Sequence, residues 1–172
     1  MGAEKGIGTR ILVIGCPGSG KSVFSVRLRE KTGLPLYHLD NLFWKRDRTT
    51  LSREEFDAEL DRLLKQEAWI LDGDYYRTLE RRVAAADTVI FLDYPEEVCM
   101  DGIIRRIGKP REDLPWVETE PDPELVEKVR AYRVRNRPGV FRLKDAYPDR
   151  NWLVLESREQ AEEWLRAGAG RP

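Results

Sequence analysis

The chain is short of the residues that several kinds of chemistry require. Of its 172 residues two are cysteine, Cys16 and Cys99, one is histidine, His38, and two are methionine. Two distant cysteines make no disulfide framework, and a reduced compartment fits them. A single histidine leaves no His-rich metal centre. No apolar run approaches bilayer-spanning length, and the opening Met-Gly-Ala-Glu-Lys-Gly lacks the apolar segment of a secretory leader, so the cytoplasm is the expected location and no membrane the expected partner. Net charge is nearly absent as well. Thirty Lys and Arg against 31 Asp and Glu leave −1, which speaks against a general nucleic-acid coat. What is present is charge of both signs (35% of residues) on a chain 41% hydrophobic, long enough for one domain, 1–172, with a real core.

The most informative stretch is Gly15-Cys16-Pro17-Gly18-Ser19-Gly20-Lys21-Ser22. Its pattern G-x-x-x-x-G-K-S is that of a phosphate-binding loop, in which glycines let backbone N–H groups wrap an anion. Lys21 reaches the β- and γ-phosphates of a nucleoside triphosphate, and the Ser22 hydroxyl suits Mg²⁺. The apolar run Arg10–Ile14 before it reads as a strand and Lys21–Lys31 after it as a helix, the context the motif needs. Gly15, Pro17, Gly18, Ser19, Gly20, Lys21, Ser22 and Val23 are therefore expected at the cofactor, ATP with Mg²⁺. Cys16 lies where a helix N-terminus can lower a thiol's pKa.

Strand and helix signals alternate from there. Strands are expected at Leu36–Leu39, Trp69–Asp72, Thr88–Asp93 and Trp152–Leu155, and helices follow each. Ser52 with Glu55 makes a capping box ahead of a helix bearing Phe56, Leu60, Leu63 and Leu64, and Ser157 with Gln160 makes another. Further helices are predicted over Thr78–Ala86, Glu96–Ile107 and Glu124–Arg135, with a short one resuming to Ala146. The proline- and acid-rich stretch to Pro123 reads as a loop. This order implies a single α/β domain with a parallel sheet and helices on both faces.

Ligands of such sheets sit beyond the carboxyl ends of the strands. The residues there are His38 and Asp40, Asp72 with Asp74 and Arg77, Asp93, and Ser157 with Arg158. Asp72 is expected to assist Ser22 at the metal through water. Asp40 is placed to accept a proton from an acceptor hydroxyl, and Arg77 to clamp an anionic acceptor. The cluster Arg105, Arg106, Lys109 and Arg111 can neutralise a transferring phosphoryl group. From Lys128 to Lys144 run seven cations and no acid, among them Arg130, Arg133 and Arg137 at one-face helical spacing.

In Gly15–Ser22, Leu36–Lys45, Ser52–Phe56, Trp69–Arg77, Phe91–Pro95, Arg105–Trp116 and Ser157–Leu165 the chain resembles adenylate-kinase-like P-loop kinases, and more closely the bacterial family called DNA topology modulation protein. The resemblance covers nearly the whole chain. It implies a three-layer fold with five parallel strands in the order 2-3-1-4-5, an acceptor segment at about 40–68 and a short lid at about 108–121. It implies catalytic Lys21, Asp40, Asp72, Arg106 and Arg111, cofactor contacts from Arg106 and Arg137, and acceptor contacts from His38, Asp40, Trp44, Asp74 and Arg77. Gly102 falls where adenylate kinases carry an adenine-stacking arginine, so base recognition differs here.

The function expected is transfer of phosphate from Mg·ATP to a small molecule, nucleotide-like or otherwise anionic, by a monomer or weak dimer. The alternative is a regulatory ATPase that signals to a partner or DNA through the Lys128–Lys144 stretch. A GTPase is disfavoured, for want of an Asn-Lys-x-Asp guanine motif.

Overall fold

The computed structural model describes residues 6–168. The amino-terminal residues 1–5, on most of which the absence of a leader was read, lie outside them. Five parallel strands form one sheet in the order β2-β3-β1-β4-β5. The strands are β1 Arg10–Gly15, β2 Leu36–His38, β3 Trp69–Asp72, β4 Thr88–Leu92 and β5 Asn151–Leu155. β1 is central, Val13 pairing with Asp72 on one side and Ile90 on the other. Sheets buried on both faces carry continuous apolar runs, and Ile11–Ile14, Trp69–Leu71 and Val89–Leu92 are all buried.

Eight helices surround the sheet: α1 Lys21–Thr32, α2 Leu39–Phe43, α3 Arg53–Leu64, α4 Leu79–Ala85, α5 Glu96–Arg105, α6 Pro123–Arg135, α7 Arg137–Ala146 and α8 Arg158–Arg166. α3 carries the full capping box, with Ser52 Oγ accepting from Glu55 N and Glu55 accepting from Ser52 N. No helix among the described residues is long and apolar enough to cross a membrane.

Two expectations change. β2 ends at His38, and Asp40 lies in α2 rather than closing a strand. α2 is short and uncapped by any side chain, and tertiary packing of Phe43, edge to face with Phe56 and tilted against Tyr75, holds it instead. The interruption expected at Asn136 is present, and it separates Arg130 and Arg133 on α6 from Arg137, which opens α7. The three arginines do not share one helix.

Candidate active site

The loop between β1 and α1 has the backbone its glycines were expected to allow. Gly18 and Gly20 take φ of +81° and +92°, left-handed values costly for a side chain. Lys21 folds back over the loop, Nζ donating to the carbonyls of Gly15 (2.9 Å) and Cys16 (3.1 Å). Ser19 is 1% exposed, yet its hydroxyl has no hydrogen-bond partner. Pro17 is half-buried, and Val23 is exposed on the first turn of α1. Arg158, at the end of β5, lies against this loop, its guanidinium donating weakly to the carbonyls of Val98 and Gly18. Cys16 runs against expectation. The neighbouring Cys99 thiol and burial push its pKa up, not down, and both thiols are free and buried.

Carboxylates gather opposite Lys21. Asp40 accepts a 2.7 Å bond from the Tyr75 hydroxyl. Burial raises its pKa, as do Asp113 and Asp72, while Tyr75 and Lys21 pull it down. Asp74, half-buried in the field of Lys21 and Arg82, is raised to about 6, chiefly by burial. An acid whose pKa is higher folded than unfolded contributes most stability at low pH and loses it as pH rises from about 4 to about 6. Asp74→Asn is therefore expected to raise the melting temperature at pH 7.5 and leave it unchanged at pH 4, which a pair of thermal melts checks.

Asp72, buried at the end of β3, accepts from His38 Nδ1 at 2.7 Å. Burial depresses the imidazole pKa, but Asp72, Asp113 and Glu112 outweigh it and leave it raised. Nε2 of His38 has no hydrogen-bond partner and faces Glu112 Oε1 at 3.7 Å.

Residues 108–121, expected to form a lid, lie folded down on this centre. Ser22 Oγ donates to Asp113 Oδ2 at 2.6 Å. Arg111 is bonded to Asp113 and to Glu118, and Arg106 Nη2, at the end of α5, to Glu118 Oε1 at 2.9 Å, so both arginines are satisfied by acids of this segment. Arg111 and Ser22 hold the Asp113 carboxyl below its ordinary range despite its burial. Trp116 meets Trp44 edge to face at 5.3 Å, stitching this segment to the one that follows β2. A cleft of about 370 Å³ opens beside that segment, lined by Phe43, Leu51, Arg53, Phe56, Tyr75 and Arg77 among others.

Lys21, Ser22, His38, Asp40, Asp72, Asp74 and Arg111 are thus brought to one centre. Arg77 and Arg137 are engaged elsewhere. Arg77 is bound through two nitrogens by Asp57 of α3, at 3.0 and 2.6 Å, on the rim of the cleft. Arg137 grips Asp93 with Nε and Nη2, both at 2.8 Å. Three contributors went unread in the sequence. Asp113 lay in a stretch with no periodic signal. Arg82 stood in a charged run, Glu80-Arg81-Arg82, yet is fully buried. Tyr132 is buried with an unpartnered hydroxyl in the field of Asp74, Cys16 and Asp93, and its i+3 spacing from Val129, which is also buried, was the available signal.

No family model and no curated protein matches the chain. Solved structures do. Shikimate kinase from Acinetobacter baumannii in complex with shikimate superposes with a TM-score of 0.62 at 16% identity, over 93% of this chain and 90% of that one. Shikimate kinase from Bacteroides thetaiotaomicron gives 0.60 at 18%, over 92% and 95%. A gluconokinase from Sinorhizobium meliloti 1021 gives 0.58 at 18%, over 96% and 93%. The likeness is one of fold, that of the P-loop kinases.

Proposed function

We propose that this chain, built on the P-loop kinase fold, transfers the γ-phosphoryl group of ATP to a hydroxyl of a small anionic molecule bound beside α2 and α3. The observation that carries the reading is Asp40, held by the Tyr75 hydroxyl across from Lys21 of the phosphate loop. A phosphate acceptor needs no base, whereas a hydroxyl needs its proton accepted as the new P–O bond forms. Burial that raises the Asp40 pKa makes it a better proton acceptor. Arg53 on the rim of the adjacent cleft supplies positive charge for an anionic group, and Phe43, Phe56 and Tyr75 supply its apolar wall. The fold neighbours are named as shikimate kinases, a gluconokinase and a sugar kinase, which supports a small-molecule acceptor.

The residues fit ATP with Mg²⁺. The unpartnered Ser19 hydroxyl, the Lys21 ammonium resting on its own loop and the left-handed glycines make an anion cradle. Ser22 would hold the metal, with Asp72 acting through water. No group of three metal-binding side chains exists among the described residues, which suits an ion that keeps its waters and leans on substrate phosphates. The metal supplies charge neutralisation at the phosphates when bound. Lys21, Arg111 and Arg106 add to it once the lid arginines exchange Asp113 and Glu118 for phosphate oxygens, and the closed lid keeps water out. The stretches His38–Trp44 and Lys109–Trp116 support the finer kinship with the DNA topology modulation family.

Asp40→Asn is expected to lower kcat for a hydroxyl acceptor by about 10²- to 10⁴-fold while leaving ATP affinity unchanged. ADP release from Mg·ATP over a panel of hydroxylated acids, nucleosides and nucleoside monophosphates, with Lys21→Ala as control, checks this. Equal loss for every acceptor would remove the role of Asp40 as base. A second reading, the regulatory ATPase, has one observation in its favour. Among the described residues Lys128, Arg130, Arg133, Arg135, Arg142 and Lys144 of α6 and α7 form no salt bridge. ATP hydrolysis indifferent to every acceptor would move the assignment there.

A further inference from the structure

We propose that Asp113 of the lid is the acid partner of the metal at Ser22, so that cation binding and lid closure are a single event. The inference rests on the reading above that Gly15–Ser22 holds Mg²⁺ with a nucleotide, and it goes beyond that reading by moving the acid from the sheet to the lid.

Ser22 and Asp113 stand 91 positions apart in the chain, yet Ser22 Oγ and Asp113 Oδ2 are 2.6 Å apart. A hydroxyl and a carboxylate oxygen are the hard donors that Mg²⁺ takes, and Ser22 and Asp113 together would hold the ion, which would supply charge neutralisation at the phosphates. Asp72, the acid expected from the sheet, has its Oδ2 committed to His38 Nδ1 at 2.7 Å. Of the two acids, Asp113 is the one bonded to the loop hydroxyl.

The placement of Asp113 is fixed from several sides. Arg111 Nε donates to its other oxygen at 2.9 Å, and the residue is 2% exposed. Its neighbour Glu112 is anchored twice, its carboxylate accepting from Arg29 Nη1 at 2.6 Å and its carbonyl from Asn41 Nδ2 at 2.7 Å. His38 Nε2, in a side chain 3% exposed and without a hydrogen-bond partner, faces the same lid tip. A carboxylate buried against a phosphate loop repels phosphate unless a cation lies between them. With Mg²⁺ present the same charge becomes an attraction, so in the nucleotide complex it is the metal that favours the closed lid.

Calorimetric titration of a non-hydrolysable ATP analogue, in saturating Mg²⁺ and in EDTA, tests this on the wild-type chain, Asp113→Asn, Ser22→Ala and the double variant. Asp113→Asn is expected to weaken binding about tenfold in Mg²⁺ and to leave it unchanged or tighter in EDTA, the EDTA arm reporting an intact loop. In Mg²⁺ the double variant is expected to lose no more than Ser22→Ala alone, since both act through one ion. An Mg²⁺ arm that is unchanged or tighter in Asp113→Asn overturns the proposal and makes Asp113 a plug that nucleotide must displace. Additive losses in the double variant overturn it as well. A wild-type chain that binds the analogue in neither arm overturns the phosphotransferase reading itself. Amide exchange over residues 108–118 gives an independent measure: Mg²⁺ added to the nucleotide complex is expected to protect the lid in the wild type and not in Asp113→Asn, and equal protection in both would count against the coupling.

Discussion

Gly102→Ala is expected to lower the melting temperature by roughly 10 °C and to weaken ATP binding at least tenfold, although alanine is the better helix former. In an unconstrained helix interior the exchange would stabilise by about 1 kcal/mol. Here the added β-carbon would stand 1.9 Å from the carbonyl oxygen of Gly18 in the phosphate loop. The contact is reciprocal, for a β-carbon at Gly18 would stand 2.0 Å from the carbonyl oxygen of Cys99, one turn earlier on α5. Both obstacles are backbone, so no rotamer change relieves them, and α5 must withdraw from the loop. Overpacking of this kind costs about 3 kcal/mol, and a chain of this size loses about 2–4 °C per kcal/mol. The same contact explains why no base-stacking arginine occupies this position. Thermal melts and analogue titration check the prediction, and a rise in melting temperature would refute the close packing.

Arg82→Leu is expected to cost about 3–5 kcal/mol of stability and to raise the acceptor KM far more than the ATP KM. Arg82 is fully buried and donates to Gly73 O and Tyr75 O, both at 2.8 Å, and to Thr78 Oγ1 at 3.2 Å. Burial lowers its pKa to about 10, so it remains charged at neutral pH. Its three acceptors belong to the turn that follows β3, the turn that presents Asp74 and the Tyr75 hydroxyl on Asp40. Leucine fills similar space but leaves those carbonyls without donors. Urea midpoints measure the first effect and initial rates the second. A loss under about 1 kcal/mol would mean that water or a neighbouring group replaces the guanidinium.

The parts of this molecule that were readable in the sequence are those whose signal is local. The phosphate loop is eight consecutive residues, the Ser52 box needs four, and the strands announce themselves as apolar runs because a parallel sheet is buried on both faces. The order of the strands came through resemblance to relatives, since no short-range pattern encodes it. The parts that escaped depend on distant partners. Arg82 has the neighbours of a surface residue and becomes interior only when the β3 turn folds over it. Arg77 looked free to bind an anion until α3 brought Asp57 beside it. Asp113 sits among prolines and acids that read as a loop, and its meaning lies in a serine 91 positions away. Helix α2 carries too few residues for periodicity to speak.

The lid tip touches both halves of the centre through adjacent residues. Asp113 rests on the nucleotide side at Ser22, while Glu112 rests on the acceptor side at Asn41 and faces His38. On the proposed reading one peptide unit therefore joins the nucleotide and acceptor sites, so that a rearrangement at one end of the tip is felt at the other. Whatever factor ATP contributes to acceptor affinity, the acceptor must return to ATP, because the two share one closed state. On the proposed reading, the affinities of the two substrates are therefore interdependent.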